Sequence, residues 1–221
     1  ILDAPLPSEP GQFVMAWLPD VGEKPFSISG NDPLTLTVCD VGPVSRALCA
    51  LQPGERVWAR GPLGKGFVLT GTSHILVGGG YGAAPLSFLA RQARALGHKV
   101  VVCLGAKTHT ELMLSEQFKD MGCEVLAATE DGSAGVRGRV TALYRPQDFD
   151  VVVACGPVPM MRAVQQACRD AGTRAVLSME ARMACGIGAC LGCTTQTTTG
   201  MRRVCTDGPV FPADEVIFDD R

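Results

Sequence analysis

Four cysteines near the end of the chain stand at a spacing that could do chemistry. Cys185, Cys190, Cys193 and Cys205 form a C-x4-C-x2-C-x11-C array in "MACGIGACLGC" and "RRVCTDG". Four thiolates can hold one zinc ion or an iron–sulfur cluster. Structural zinc usually takes two separated C-x2-C pairs, each gripping one edge of a tetrahedron, and only Cys190 and Cys193 make such a pair here. The long first gap and the distant fourth thiol follow the plant-type 2Fe–2S pattern instead. A two-iron cluster is wider than one ion, so its loop must wrap around it. Gly186, Gly188 and Gly192 suit a backbone that passes close to sulfur and points its N–H groups inward.

A second group lies mid-chain. "VGGGYGAAPL" places Gly78, Gly80 and Gly82 between an expected strand and an expected helix, where backbone N–H groups attract phosphate. The match to G-x-G-x-x-G is imperfect, because Ala83 stands in the last glycine position. The residues alone leave a nucleotide turn and an ordinary packing turn both open. "ACGPVPMM" offers another such turn at Gly156 and Pro157. Ligands of open parallel sheets bind off the carboxyl ends of the strands. Cys155 is expected at one of those ends, which makes it a candidate for the reacting site. His74 and His98, flanking a strand and a helix, read as surface or capping groups, and His109 has no assigned role. Lys107 is either a solvated lysine or a partner for a 2′-phosphate, so NAD and NADP both stay open.

Three kinds of segment must position these residues. Residues 1 to 70 carry short apolar bursts broken by Pro and Gly, "GQFVMAWLP", "KPFSIS", "LTLTVCDVG" and "ERVWARGPLG", with one brief helix in "SRALCALQPG". That texture predicts a small antiparallel barrel or sandwich. The run from Ile1 leaves no obvious room for a first barrel strand, and no basic-then-apolar leader is visible. Residues 71 to 178 alternate apolar strands with helical patterns: "HILVGGG", "APLSFLARQARALG", "KVVVCLGA", "ELMLSEQFKDMG", "CEVLAAT", "FDVVVACG", "PVPMMRAVQQACRDAG" and "RAVLSM". This predicts a parallel sheet covered by helices on both faces. Residues 179 to 221 are too few to build a core and would need a metal centre as a staple.

Composition narrows the classes further. The chain has 221 residues, 46% hydrophobic, with a net charge of -2 and 5% aromatics. No strong field or base-stacking surface points to nucleic acid, and no apolar run is long enough to span a membrane. Of the ten cysteines, Cys39, Cys49, Cys103, Cys123 and Cys168 lie in apolar segments at no common spacing. They read as small buried hydrophobes in a reduced, cytoplasmic chain rather than as a disulfide framework.

Taken together, "GQFVM", "KPFSIS", "GPLGKGF", "VGGGYGAAPL", "ATEDGS", "CGPVPMM" and "ARMACGIGACLGC" occur in an order that resembles the electron-transfer subunits of class B dihydroorotate dehydrogenases, a branch of the ferredoxin reductase-like family. The resemblance covers essentially the whole chain, and the cysteine segment is its most specific part. It implies an antiparallel FAD-binding barrel, a parallel-sheet NAD-binding domain and a small C-terminal 2Fe–2S domain. It implies Lys24, Pro25, Phe26 and Ser27 as the flavin motif, with lysine where the family has arginine. Gly42, Ser45 and Arg46 stand for the flavin phosphate turn, although Pro43 has no N–H to offer there. It further implies that NAD(H) exchanges a hydride with FAD near Cys155, in a subunit of pyrimidine biosynthesis. Its partner would be an FMN-containing dihydroorotate dehydrogenase catalytic subunit, assembled as a heterotetramer. Two rival readings stand beside this one: a reductase subunit of a hydrogenase- or transhydrogenase-type complex, and a zinc-bound interaction module on a degenerate nucleotide fold.

Overall fold

The computed structural model describes residues 1–218; the last three positions of the expected 179–221 segment lie outside them. The antiparallel part contains β1 (Phe13–Leu18), β2 (Gly22–Asn31), β3 (Leu34–Leu36), the short helix α1 (Pro43–Ala50) and β4 (Trp58–Leu63). These strands form one sheet in the order β3-β2-β1-β4. The expected strand "LTLTVCDVG" is shorter than its apolar pattern suggests. Only Leu34–Leu36 pairs, and Thr37–Gly42 runs on as irregular backbone into α1.

The parallel part contains β5 (Ser73–Gly79), α2 (Ala83–Ala95), β6 (Lys99–Ala106), α3 (Ser115–Asp120), β7 (Glu124–Thr129), β8 (Val136–Arg137), β9 (Val151–Cys155), α4 (Val158–Ala171) and β10 (Arg174–Ser178). The C-terminal stretch adds the hairpin β11 (Thr194–Thr197) and β12 (Gly200–Arg203), then β13 (Val210–Pro212). The large sheet runs β13-β10-β9-β5-β6-β7-β8, parallel except for β13, which lies antiparallel on β10. Strand order reverses between β5 and β9, and this switch point is where an open α/β sheet forms its ligand crevice. α3 is half the length its pattern suggests. Leu114 at φ 61 adopts the left-handed conformation that a helix cannot continue through, so the helix begins only at Ser115.

Apolar packing ties the parts together. One core cluster contains Phe13 and Met15 of β1, Val77 of β5, Leu177 of β10, and Cys193, Val204 and Cys205 of the C-terminal stretch. Fully burying each large aliphatic chain among them contributes about 1.5–3 kcal/mol. A smaller cluster seats Phe88 of α2 on Val14, Ile28 and Leu34 of the antiparallel sheet. Across the same contact the hydroxyl of Ser29 in β2 donates to the Ala84 carbonyl of α2 at 3.4 Å.

Two expectations need correction. Cys103, Cys123 and Cys168 are buried, but Cys39 is only half-buried and Cys49 is exposed. α1 buries only Val44 and Ser45, so its far side, including Cys49, faces out. His74 is not a surface group either. It sits in a strand covered on both faces, is 2% exposed, and lies 3.0 Å through Nε2 from Nδ1 of His98. Burial pushes the His74 imidazole below its ordinary range, and the neighbouring His98 adds to this, against the opposing pull of Asp150.

The sign of this linkage is fixed. The unfolded chain binds the His74 proton more readily, so stability is complete above an unfolded pKa of about 6.5 and declines as pH falls below it. The melting temperature should drop between pH 7 and pH 5, and His74→Gln should flatten that part of the profile. An unchanged slope in the variant would mean that other groups govern acid sensitivity.

Candidate functional site

A cavity of about 540 Å³ opens between the antiparallel sheet and the carboxyl ends of β9 and β10. This is within the usual range for a cofactor site. Lys24, Pro25, Phe26 and Ser27 form one wall. β1 pairs with this stretch in the register Phe13↔Ser27 and Met15↔Pro25, whereas β3 pairs only from Ile28 onward. The outer edge of β2 at Pro25 is therefore left unpaired beside the cavity, and a proline is tolerated there because no neighbouring strand needs its N–H.

Gly42 and Ser45 also line the cavity. The Ser45 hydroxyl accepts from Val41 N and Gly42 N, each at 3.0 Å, and so caps its own turn. Gly42 has open space where a side chain would stand. Arg46 does not line the cavity; it points to solvent and pairs with Asp40 at 3.1 Å.

Cys155 reaches the cavity from the end of β9. Burial pushes its thiol well up, and the Glu180 carboxylate at 3.9 Å pushes it further. The group is thus a neutral thiol, fit to shape and contact a bound ring, and not a thiolate nucleophile. Burial also raises the carboxyl of Glu180. Glu180, Ser178, Tyr81 and Met113 line the same cavity and were not singled out from the sequence. The signal for Ser178 and Glu180 was present, since both stand at or just past the carboxyl end of an expected strand.

The glycines at the switch point have different jobs. A side chain on Gly82 would come within 2.0 Å of the Cys155 carbonyl oxygen. Gly156, at φ 155, would meet Met160 at 2.8 Å and Gly79 at 3.0 Å. The two turns therefore cross in contact, with Pro157 at the start of α4 beside them. Gly78 packs on Ala83 and Leu104, and only Gly80, at φ 51, faces open space. Lys107 is exposed just past β6.

The cysteine loop folds back onto the antiparallel sheet. Gly186 is buried at φ 69, and a side chain there would strike Met15 at 2.9 Å and Leu63 at 3.3 Å. The N–H groups of Ile187 and Cys190 point at the Cys185 sulfur at 3.5 and 3.4 Å, and that of Gly188 at the Cys205 sulfur at 3.2 Å. The Cys190 and then the Ile187 amides hold the Cys185 thiol down to about 6. Burial, then contact with the Cys193 side chain, pushes Cys205 up to about 11. Among the described residues no three His, Cys, Asp or Glu side chains converge as a single ion needs. The loop with inward amides and four thiols fits the wider two-iron cluster in its donor chemistry.

Comparisons with known proteins agree with this layout. Residues 180–217 match the iron–sulfur cluster binding domain of dihydroorotate dehydrogenase B, and residues 76–166 match the oxidoreductase NAD-binding domain. A protein of Thermococcus kodakarensis named "probable dihydroorotate dehydrogenase B (NAD(+)), electron transfer subunit" is 41% identical over 94% of this chain and 86% of its own length. The Shouchella clausii dihydroorotate dehydrogenase B (NAD(+)), electron transfer subunit, is 38% identical over 96% of this chain and 87% of its own length. The chain belongs to this family. It is an oxidoreductase whose cofactors are FAD, NAD and a 2Fe–2S cluster, and the zinc-module reading falls away. A solved structure of an NADH-dependent reduced ferredoxin-NADP oxidoreductase superposes with a TM-score of 0.84 at 29% identity, over 96% of this chain and 80% of that one. No described helix is long and apolar enough to cross a membrane.

The crossing of the two turns is testable. Gly82→Ala forces a methyl group into the Cys155 carbonyl and should cost about 1–3 kcal/mol by overpacking. Gly80→Ala meets no atom and carries only the left-handed backbone penalty of about 1–2 kcal/mol. Urea unfolding should rank Gly82→Ala as the less stable and, through movement of Cys155, the more damaging to flavin content. The reverse order would show that the turns can separate without cost.

Proposed function

We propose that this chain relays electrons between NAD(H), an FAD seated in the cavity, and a 2Fe–2S cluster held by Cys185, Cys190, Cys193 and Cys205. It serves an FMN-containing dihydroorotate dehydrogenase catalytic subunit in a cytoplasmic heterotetramer. When bound, FAD supplies two-electron exchange with the nicotinamide and one-electron exchange with the cluster. The protein supplies positions. The supporting observation is a shared face. Phe13, Met15, Pro25 and Ser27 are matched across β1 and β2, and the same face carries Leu63 and Arg60 of β4 under the cysteine loop. The cavity wall and the cluster cradle are thus two ends of one small sheet.

In this reading Ser27 and the open edge of β2 meet the flavin ring, and Gly42 leaves room for its phosphates. Ser45 preserves the turn. Arg46, paired with Asp40, stays outside the cavity. The turns at Gly78, Gly80, Gly82, Gly156 and Pro157 shape the NAD end. Cys155, neutral and fully buried, lies between the two and excludes water where the hydride passes. Lys24 offers one cationic point in place of the planar fork of arginine. No two of the ten cysteines form a disulfide, which supports the cytoplasmic setting. The names of the relatives support the dihydroorotate partner over a hydrogenase- or transhydrogenase-type complex.

Two variants separate the halves of this function. Cys155→Ala should slow flavin reduction by NADH in rapid mixing more than it lowers flavin content; equal rates in the two proteins would return Cys155 to the core. Cys190→Ala removes an iron ligand and should abolish the electron paramagnetic resonance signal of the cluster. NADH reduction of a small dye should largely survive, while reduction through the catalytic subunit collapses. Equal loss of both would make the cluster a structural staple rather than a wire.

A further inference from the structure

A chain of charge-assisted bonds joins the two ends of the shared face. Arg60 of β4 donates Nε and Nη2 to the two carboxylate oxygens of Glu23 at 2.9 and 3.0 Å. The same Nη2 donates to the carbonyl of Cys185 at 2.8 Å. Glu23 directly precedes Lys24, the first residue of the cavity-lining stretch of β2. In register, Arg60 stands opposite Met15 and Glu23 opposite Trp17, so both project from the face that receives Gly186. The contacts of Gly186 with Met15 and Leu63 place the same loop independently of Arg60.

We propose that Arg60, oriented by Glu23, is a positioning residue that latches the first cluster thiolate onto the cavity sheet and biases the potential of the cluster there. The proposal rests on the cluster reading above. The planar fork of arginine explains the choice of residue, since it alone can hold a carboxylate with two parallel bonds and still reach a carbonyl. As an isolated ion pair this contact would matter little, because the side chains are 43% and 28% exposed. Its effect comes from location: a guanidinium bonded to a cluster ligand's own carbonyl stabilises added negative charge at that ligand, and Glu23 offsets part of this. Loss of such outer partners typically costs about 10–100-fold in metal retention.

The test uses the purified holoprotein, with Arg60→Gln, Arg60→Lys and Glu23→Gln. Three quantities are read: the midpoint potential of the cluster by mediated titration, its electron paramagnetic resonance line shape, and the rate of iron loss to a chelator. Arg60→Gln should lower the potential and speed iron loss about tenfold or more. Glu23→Gln removes the offsetting charge and should move the potential the other way. Arg60→Lys keeps the charge but not the fork, so it should restore most of the potential and little of the iron retention. Shifts of one sign in both Gln variants, or no shift in either, overturn the latch. A wild-type protein without a cluster signal overturns the cluster reading itself, which keeps the two failures apart.

Discussion

The arrangement depends on one constraint: the C-terminal stretch has no core of its own. Cys193, Val204 and Cys205 are buried in the same cluster as Met15 and Leu177, and β13 is held by β10. The loop that carries the thiols therefore cannot be placed anywhere except over the antiparallel sheet and beside the last parallel strand. Distance between redox groups is set by packing, and packing here leaves no slack, because Gly186 fits against Met15 only without a side chain. The same dependence works in reverse, since a stretch without its own core has its folding coupled to the metal it holds.

The cavity follows from a second feature, the unequal pairing of β2. Its first half pairs with β1 alone, and β3 joins only at Ile28. A strand edge with unpaired backbone groups is usually a hazard, but beside a cavity it offers hydrogen-bonding groups to a planar ring. Opposite it stand a neutral thiol and a carboxyl whose ionised forms are both disfavoured by burial.

Much of this could be read from residues in order. The alternation of apolar strands and amphipathic helices from Ser73 to Ser178 announced the parallel sheet because its central strands β5, β6 and β9 are buried on both faces, and such runs are continuous in sequence. The cysteine spacing was legible because a cluster imposes its own geometry on the loop. Other features were not. α3 is cut short by one backbone angle at Leu114, which no composition signals. β13 is three residues, preceded by Pro209 and ending in Pro212, and exists only because β10 offers an edge. His74 looked like a strand-end polar residue, and its burial depends on meeting His98 across a helix-to-strand turn. Glu180 meets Cys155 and Arg60 meets Cys185 across 25 and 125 residues of chain. Sequence patterns report faces and periods, and they are silent about pairs brought together only by the finished fold.

β13 has one more consequence. The large sheet ends on one side in β13, which covers Val176–Ser178 of β10, and on the other in the two-residue β8, which pairs only with Ala128 and Thr129 of β7. β13 lies only a few residues beyond Cys205 and is held by β10, by the bridge between Lys65 and Pro209, and by packing of Val210 and Phe211 into the two core clusters. The stretch that carries the last of the four thiols therefore also closes one edge of the large sheet.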